Sequence, residues 1–362
     1  MRWRGGAAAG LAALVGFAAL LLAACTHTPL PPPAAVTPRA PSPEKPPSAA
    51  AGPISSMASL PGWAAEDHAE AFAVVRRACA ASPQLNTTRA CADALARPRP
   101  DEAEARSFLE AHFRAERIAG EGVLTGYFAP TYEARWRRDA EFSAPVRPAP
   151  RDPAAAPDRA GIERWPTGDA LSWMRPEDLF YLQVQGSGVL VFPDGGRARA
   201  VYAGSNGQPF VAIAQPLIAT HRIAPSEAGA VHEWLAAHRG PEAAAAMDKN
   251  PRYIFFRFVT DDGGEPHGAS GVALIPGRSV AVDPAAHAYG ELLWIDAEDP
   301  TQRGAEPSYQ RLTAALDTGS AIKGEVRADL YVGRGARAGD EAARVRHTLR
   351  LYRIVPASEP TR

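Results

Sequence analysis

The sequence predicts a mainly β fold with N-terminal helices, built from barrels rather than from a doubly wound sheet. Three observations carry this. After Gly120 the chain breaks into many short runs that alternate apolar and polar residues, as half-buried strands do. Few helical stretches separate those runs, whereas a doubly wound sheet needs a helix after nearly every strand. Asp194-Gly195-Gly196 sits between two of the runs and has the chemistry of a hairpin turn.

The N-terminus comes first. Arg2 and Arg4 precede an uncharged run from Ala7 to Ala24 that ends in Leu22-Ala23-Ala24-Cys25, the pattern of a secretory signal with small residues before a cysteine. A membrane anchor or an ordinary signal peptide would share the apolar run. The cysteine distinguishes them, because Leu-Ala-Ala-Cys resembles a bacterial lipobox in which Cys25 is acylated. Thr26 follows it where aspartate is absent, which by resemblance to lipoprotein sorting implies the outer membrane, facing the periplasm. Residues 1–25 are therefore read as signal and lipobox, and 26–59, rich in Pro and Ala, as an extended tether.

The body follows. Trp63 to Ala81 and Asp101 to Ile118 carry helical composition, the second after a Pro-Arg-Pro breaker. Strands are predicted over Val123 to Trp136, Phe180 to Val184, Val189 to Phe192 and Ala198 to Tyr202, then a helix over Leu217 to Arg239. Strands resume at Tyr253 to Val259, Ser279 to Val282, Leu292 to Ile295, Leu312 to Leu316, Asp329 to Gly333 and Thr348 to Ile354.

A net charge of −1 with no block of like charge gives nucleic acid no electrostatic footprint. With Cys25 assigned to lipid, Cys79 and Cys91 remain. In an oxidising periplasm they are candidates for a disulfide, and no His or Cys lies at ligand spacing to make them a metal site. No cofactor is expected.

Two kinds of segment could carry chemistry. Gln183-Val-Gln185-Gly186-Ser187-Gly188 and Tyr202-Ala-Gly-Ser-Asn206-Gly207 set neutral hydrogen-bonding side chains between glycines, which suits sugar hydroxyls and acetamides. Ordinary hairpin turns have the same composition. The second kind is Leu316-Asp317-Thr-Gly-Ser-Ala-Ile-Lys323-Gly, continuing to Arg327-Ala-Asp329. The chain has three lysines against 36 arginines, so Lys323 in a Gly-rich loop stands out. A buried aspartate beside another carboxylate would hold a proton near neutral pH, with Lys323 or Arg327 keeping a partner ionised. Turn residues capping backbone N–H groups would look the same. Asp-Thr-Gly-Ser also invites a pepsin-like reading, but that dyad needs two such loops, and the chain has one.

Val-Ala-Val-Asp283-Pro, Leu-Asp317-Thr-Gly-Ser-Ala-Ile-Lys323-Gly and Arg327-Ala-Asp329-Leu-Tyr-Val-Gly-Arg-Gly-Ala-Arg-Ala-Gly resemble the three-aspartate motif of the membrane-bound lytic murein transglycosylase A family. Thr-Gly126-Tyr127-Phe-Ala-Pro, Phe-Tyr-Leu-Gln-Val-Gln-Gly-Ser-Gly, Tyr-Ala-Gly-Ser-Asn-Gly, Asn-Pro-Arg-Tyr-Ile-Phe-Phe-Arg and Pro-Gly-Arg-Ser resemble it in the same order, from about Leu124 to Pro356. The resemblance implies a double-psi β-barrel catalytic domain, 60–130 with 251–356, interrupted by a β-rich, barrel-like substrate-binding domain at 131–250. It departs at Ser320, where a glycine is usual, and at Phe128, where a tyrosine is usual.

By that resemblance Asp329 is the catalytic acid and Asp317 and Asp283 are its companions. Lys323 and Arg327 set local charge, and Gly126, Tyr127, Gln185, Gly186, Ser187, Gly188 and Asn206 line the substrate groove. The implied partners are peptidoglycan glycan strands and the outer membrane through a lipid anchor, with a cell-wall remodelling complex as a further candidate. The implied reaction is non-hydrolytic. The C6 hydroxyl of muramic acid closes on C1, so one carboxyl group can first give and then take a proton, whereas an ordinary glycosidase needs two.

Overall fold

The computed structural model describes residues 54–224, 229–298 and 306–357. The expected signal, Cys25 and most of the expected tether lie outside these. The tether's predicted end at residue 59 is corrected: Ile54–Ser56 forms a strand, β1, and Met57 behind it is fully buried.

Four helices follow, α1 (His68–Ala81), α2 (Pro83–Asn86), α3 (Arg89–Ala96) and α4 (Glu102–His112). Asp67, Ser82, Thr88 and Asp101 each cap the helix that they precede, satisfying N–H groups that have no partner within the helix. The predicted start at Trp63 is a single 3₁₀ turn, Trp63–Ala65, and the predicted helix over Asp101 to Ile118 ends at His112. Its last residues become β2 (Phe113–Arg117), whose Phe113 and Ala115 alternate inward as a strand requires. Cys79 and Cys91 are joined by a disulfide, with Cα atoms 5.7 Å apart, and this ties α1 to α3.

The chain continues through β3 (Gly122–Ala129), β4 (Thr131–Glu133), β5 (Ala144–Val146), α5 (Arg159–Glu163), β6 (Ser172–Met174), α6 (Pro176–Gln185), β7 (Ser187–Val191) and β8 (Arg197–Ser205). Then come α7 (Ala214–Ala219), α8 (Ala230–Ala237), α9 (Pro241–Met247) and β9 (Ile254–Thr260). The strand predicted over Phe180 to Val184 is the C-terminal half of α6. Pro176 at its start, Glu177 and Asp178 in its first turn and Gly186 as a left-handed C-cap enforce the helix. The single helix predicted over Leu217 to Arg239 is two, α7 and α8, because Thr220 to Ile223 turns between them.

The last stretch holds β10 (Ser279–Val282), β11 (Leu292–Glu298), β12 (Ser308–Thr318), β13 (Arg327–Arg334), α10 (Gly335–Ala342) and β14 (Arg346–Pro356). Six strands close on themselves in the order β14-β11-β12-β10-β13-β3 and back to β14, with β2 and β1 extending from β14. Closure removes the free edges that a sheet would otherwise present. Leu124, Val280, Val282, Leu293, Ile295, Ala315, Ala328, Leu330 and Leu351 fill the barrel interior. On the outer side, Trp294, Leu312, Leu316 and Tyr331 join one core with Trp63, Phe72 and Phe108 of the helical layer. Burying aromatic and leucine side chains in this way contributes about 1.5–3 kcal/mol each. Glu66, also buried, fixes the layer by pairing with Arg278 at 2.7 Å and accepting the Leu312 N–H at 2.8 Å.

Between β3 and β10 lies a second sheet, β4-β7-β8-β9, with one parallel and two antiparallel pairings. Among the described residues no pairing joins β9 back to β4, so this sheet is open, and the barrel-like form expected of the inserted domain is corrected. One face packs Leu190, Ala198, Ala200 and Phe256 against Leu179 and Leu182 of α6.

Candidate active site

Sequence and register build the centre of the site together. Ala281 on β10 is paired with Asp317 of β12 on one side and with Asp329 of β13 on the other. Asp329 in turn is paired with Thr125 of β3. Directly paired residues share a face, so Asp317, Ala281, Asp329 and Thr125 form one row on the outer face of the barrel. Neighbours Ala328 and Leu330 point inward.

A β-bulge makes the row possible. Val280 pairs with Ala315, but the next residue, Ala281, pairs with Asp317, leaving Leu316 as the extra residue. Without the bulge Leu316 would stand opposite Ala281 and Asp317 would turn the other way. Bulges commonly re-aim a side chain in this manner.

Asp329 is half-buried. Burial pushes its carboxyl above the ordinary aspartate range and the charge of Asp317 adds to that, against the Thr125 hydrogen bond and the Arg327 guanidinium. The Thr125 hydroxyl donates to Asp329 Oδ1 and accepts from Arg327 Nη2 at 2.8 Å. Burial, together with the positive charge of Arg346, pushes the Arg327 guanidinium down, while the charge of Asp329 opposes it.

Asp317 accepts from the Tyr127 hydroxyl at 2.8 Å, the Ala269 N–H at 3.0 Å and the Thr318 N–H at 2.9 Å. Burial still pushes it up despite these three donors. The Tyr127 phenol is pushed far above its usual range by burial and by Asp317, so it remains a donor. Its ring lies 5.3 Å from that of Tyr331, whose hydroxyl donates to Glu265 Oε2 at 2.5 Å.

The third aspartate does different work. Asp283 accepts the Gly324 N–H at 2.9 Å, the Ala285 N–H at 3.1 Å and Lys323 Nζ at 3.4 Å. Burial alone would raise it, but these partners hold it below the usual range, so it is ionised and pins the Gly-rich loop. The two cations are thus divided: Arg327 serves Asp329, and Lys323, mostly exposed, serves Asp283.

The remaining predicted residues fall into two groups. Gln185 and Ser187 are half-buried at the junction of α6 and β7, with Gly186 between them at φ 81° and open space where a side chain would stand. Asn206 is 1% exposed and its amide is consumed by backbone: Nδ2 donates to the carbonyls of Pro157 and Pro251 at 2.8 Å, and Oδ1 accepts the Tyr253 N–H at 2.9 Å. Its expected place in the groove is corrected to that of a buried brace. Gly126 and Gly188 are likewise packing positions. A Cβ on Gly126 would sit 3.0 Å from Ala342 Cα, and one on Gly188 would sit 2.7 Å from Leu182 Cδ1. Phe128 lies where a methyl on Gly339 of α10 would meet its ring, so this position is used for packing.

Sequence reasoning missed Thr125, Glu265 and Ala269. Thr125 had a signal, since it stands two residues before Tyr127 in the Thr-Gly-Tyr-Phe segment, on the same face of a strand. Glu265 and Ala269 had none, because they lie on the connection between β9 and β10 and reach the site through tertiary contact.

The chain is similar to known proteins over most of its length. Residues 123–257 match the MltA specific insert domain and residues 278–355 match the 3D domain. Membrane-bound lytic murein transglycosylase A of Vibrio cholerae is 31% identical over 253 residues, 67% of this chain and 67% of that protein. The crystal structure of a membrane-bound lytic murein transglycosylase from Agrobacterium tumefaciens superposes with a TM-score of 0.72 at 28% identity, covering 84% of this chain and 97% of the other. That of Escherichia coli MltA with bound chitohexaose gives 0.67 at 26% identity, covering 86% and 93%. Two matched domains in sequence order, one identity above 30% across two thirds of a relative and the shared architecture lead to one conclusion: the chain belongs to the membrane-bound lytic murein transglycosylase A family.

Proposed function

We propose that this protein cleaves the β-1,4 bond between N-acetylmuramic acid and N-acetylglucosamine in peptidoglycan without water, using Asp329 as acid and then base. The observation that carries the reading is the Asp317–Ala281–Asp329–Thr125 row, with burial holding Asp329 toward its protonated form. Protonated Asp329 donates to the glycosidic oxygen, and the C1–O bond breaks with that proton on the departing O4 hydroxyl. The C6 hydroxyl of the same muramic residue then bonds to C1 and returns its proton to Asp329. The product is a 1,6-anhydromuramic end, and the enzyme is back in its starting state.

Asp317 has no nucleophilic task in this scheme. It adds negative charge that favours the protonated form of Asp329, while Tyr127 and the Ala269 amide fix its orientation. Gln185 and Ser187 hold sugar rings, and Asp283 with Lys323 steadies the loop beside the row. The barrel is of the double-psi type, and the inserted substrate-binding domain carries the second sheet, reaching past the expected bound at 250 to the end of β9 at Thr260. Cys25 carries the lipid that anchors the chain to the outer membrane on its periplasmic side, where a cell-wall remodelling complex could also engage it. Incorporation of a palmitate analogue that persists after Cys25→Ala would refute the anchor.

The test of the reaction is digestion of purified sacculi in heavy-oxygen water, followed by mass spectrometry. Anhydro ends without label are expected. Label at the muramic C1 would make water the nucleophile and the enzyme a hydrolase.

A further inference from the structure

The segment Asn250 to Arg257 ends in an arginine that the reaction above leaves unused. Arg257 lies on β9 and is exposed, and no carboxylate pairs with it among the described residues. Its direct cross-strand partner is Val201, and Val201 is paired in turn with Ser187. Ser187, Val201 and Arg257 therefore form a row on one face of the open sheet. That face is opposite to the one that α6 covers through Ala200 and Phe256.

The same face leads to the catalytic row. Two residues along β8 from Val201 stands Arg199, on the same side and almost fully buried. Arg199 donates to Asp261 Oδ1 at 3.1 Å and to the Glu265 carbonyl at 3.3 Å. Arg334 of β13 reaches the same Asp261 at 3.3 Å and the Gly264 carbonyl at 2.7 Å. Glu265 holds Tyr331, and the N–H of Ala269 on this connection reaches Asp317. The connection thus clamps this face of the sheet to the strand that carries Asp329. A glycan lying on Gln185 and Ser187 would pass Arg257 on its way to the acid.

We propose that Arg257 recognises the carboxylates of peptidoglycan, namely the lactyl carboxyl of a muramic residue without its peptide or the acidic groups of a peptide stem, and so favours murein over a neutral glycan. This rests on the reading of the reaction given above. The chemistry is asymmetric: the sugar backbone of murein and of chitin is the same polymer of β-1,4 N-acetyl sugars, and the carboxylates belong to murein alone. Asp317 lies beside the acid at the other end of the path, and its negative charge would repel an anionic strand. An unpaired guanidinium can give a carboxylate two parallel hydrogen bonds.

The test compares two probes on the full chain carrying Asp329→Asn, so that nothing is cut. Chitohexaose is the neutral probe, and peptide-free glycan strands with free lactyl carboxylates are the anionic one. Arg257→Gln should weaken binding of the anionic strands roughly tenfold at low salt, about one charge-assisted hydrogen bond, and leave chitohexaose within about twofold. Arg257→Lys should keep most of the preference, and raising the salt should erase it in the unsubstituted chain. Equal loss on both probes would make Arg257 a part of the sheet or a sugar contact, and no loss on the anionic strands would remove it from recognition; either overturns the proposal. Failure of the chain with Asp329 intact to release anhydro ends from sacculi is a separate observation, which sinks the reaction and this inference with it.

Discussion

Asp317 and Asp329 are separated by a single alanine: each is the direct cross-strand partner of Ala281, from opposite sides. Two strand spacings put their backbones about 9–10 Å apart. The two carboxyl groups therefore influence one another through space but do not share one proton as an aspartic-protease dyad does, where the groups lie about 3 Å apart. Ala281, with only a methyl group on that face, sets no bulky side chain between the two acids. The outcome is one acid, Asp317, braced by three donors, and another, Asp329, with one hydroxyl donor and a half-open face.

Replacing Asp329 by asparagine should remove turnover of sacculi by a factor of roughly 10²–10⁴ or more, since the proposed mechanism uses this acid in both proton transfers. The same change should raise thermal stability at pH 8. Burial lifts the folded-state pKa of Asp329 above its unfolded value. Its stability contribution is therefore greatest below the unfolded value and is lost as pH rises through the folded one; asparagine escapes that loss. Melting curves from pH 4 to pH 8 should diverge with rising pH, the variant above the parent. A variant that is less stable throughout would show that the Thr125 hydrogen bond and the nearby Arg327 charge outweigh the burial cost.

Much of this arrangement is legible in the residues, and the illegible part has one cause. Short apolar or alternating runs revealed β7 through β14, with β10 and β11 buried on both faces, and Asp194-Gly-Gly revealed the β7–β8 hairpin. It failed at Phe180 to Val184, where Phe-Tyr-Leu-Gln-Val alternates by accident; the caps around it, Pro176 and Gly186, carried the better signal. Asp329 and Asp317 could be named as companions from a motif, but the geometry that relates them could not. It depends on a bulge at Leu316 and on β10 inserting between β12 and β13, which follow one another in sequence. Asn206 shows the reverse error. Its Gly-rich setting looks like a ligand loop, yet the same amide chemistry braces two backbone segments, at Pro157 and at Pro251 to Tyr253.

Thr125→Val keeps the shape of the side chain and deletes the hydroxyl that donates to Asp329 and accepts from Arg327. A hydrogen bond to the charged form holds a pKa down, so its loss should lift Asp329 further. The alkaline limb of kcat/KM on glycan strands, where the acid loses its proton, should move to higher pH. The maximum rate should fall by about tenfold, because Arg327 and Asp329 lose the atom that relates them. An alkaline limb that stays in place would mean that Thr125 does not govern the acid.

Tyr127→Phe should move the same limb in the opposite direction. The phenol donates to Asp317 and favours its ionised form, and ionised Asp317 is one of the two influences that raise Asp329. Without the hydroxyl, Asp317 holds its proton to higher pH, its negative charge is partly withdrawn, and the pKa of Asp329 falls. The acid form then disappears earlier as pH rises, and the alkaline limb retreats to lower pH, while the anhydro product is unchanged because no group that attacks C1 has been altered. The pair of hydroxyl deletions thus separates two arrangements that a single rate loss could not. Opposite shifts require that Thr125 acts on Asp329 directly and Tyr127 acts through Asp317; shifts in the same direction would mean that Tyr127 contacts the acid or the sugar itself, and the positioning role of Asp317 would have to be abandoned.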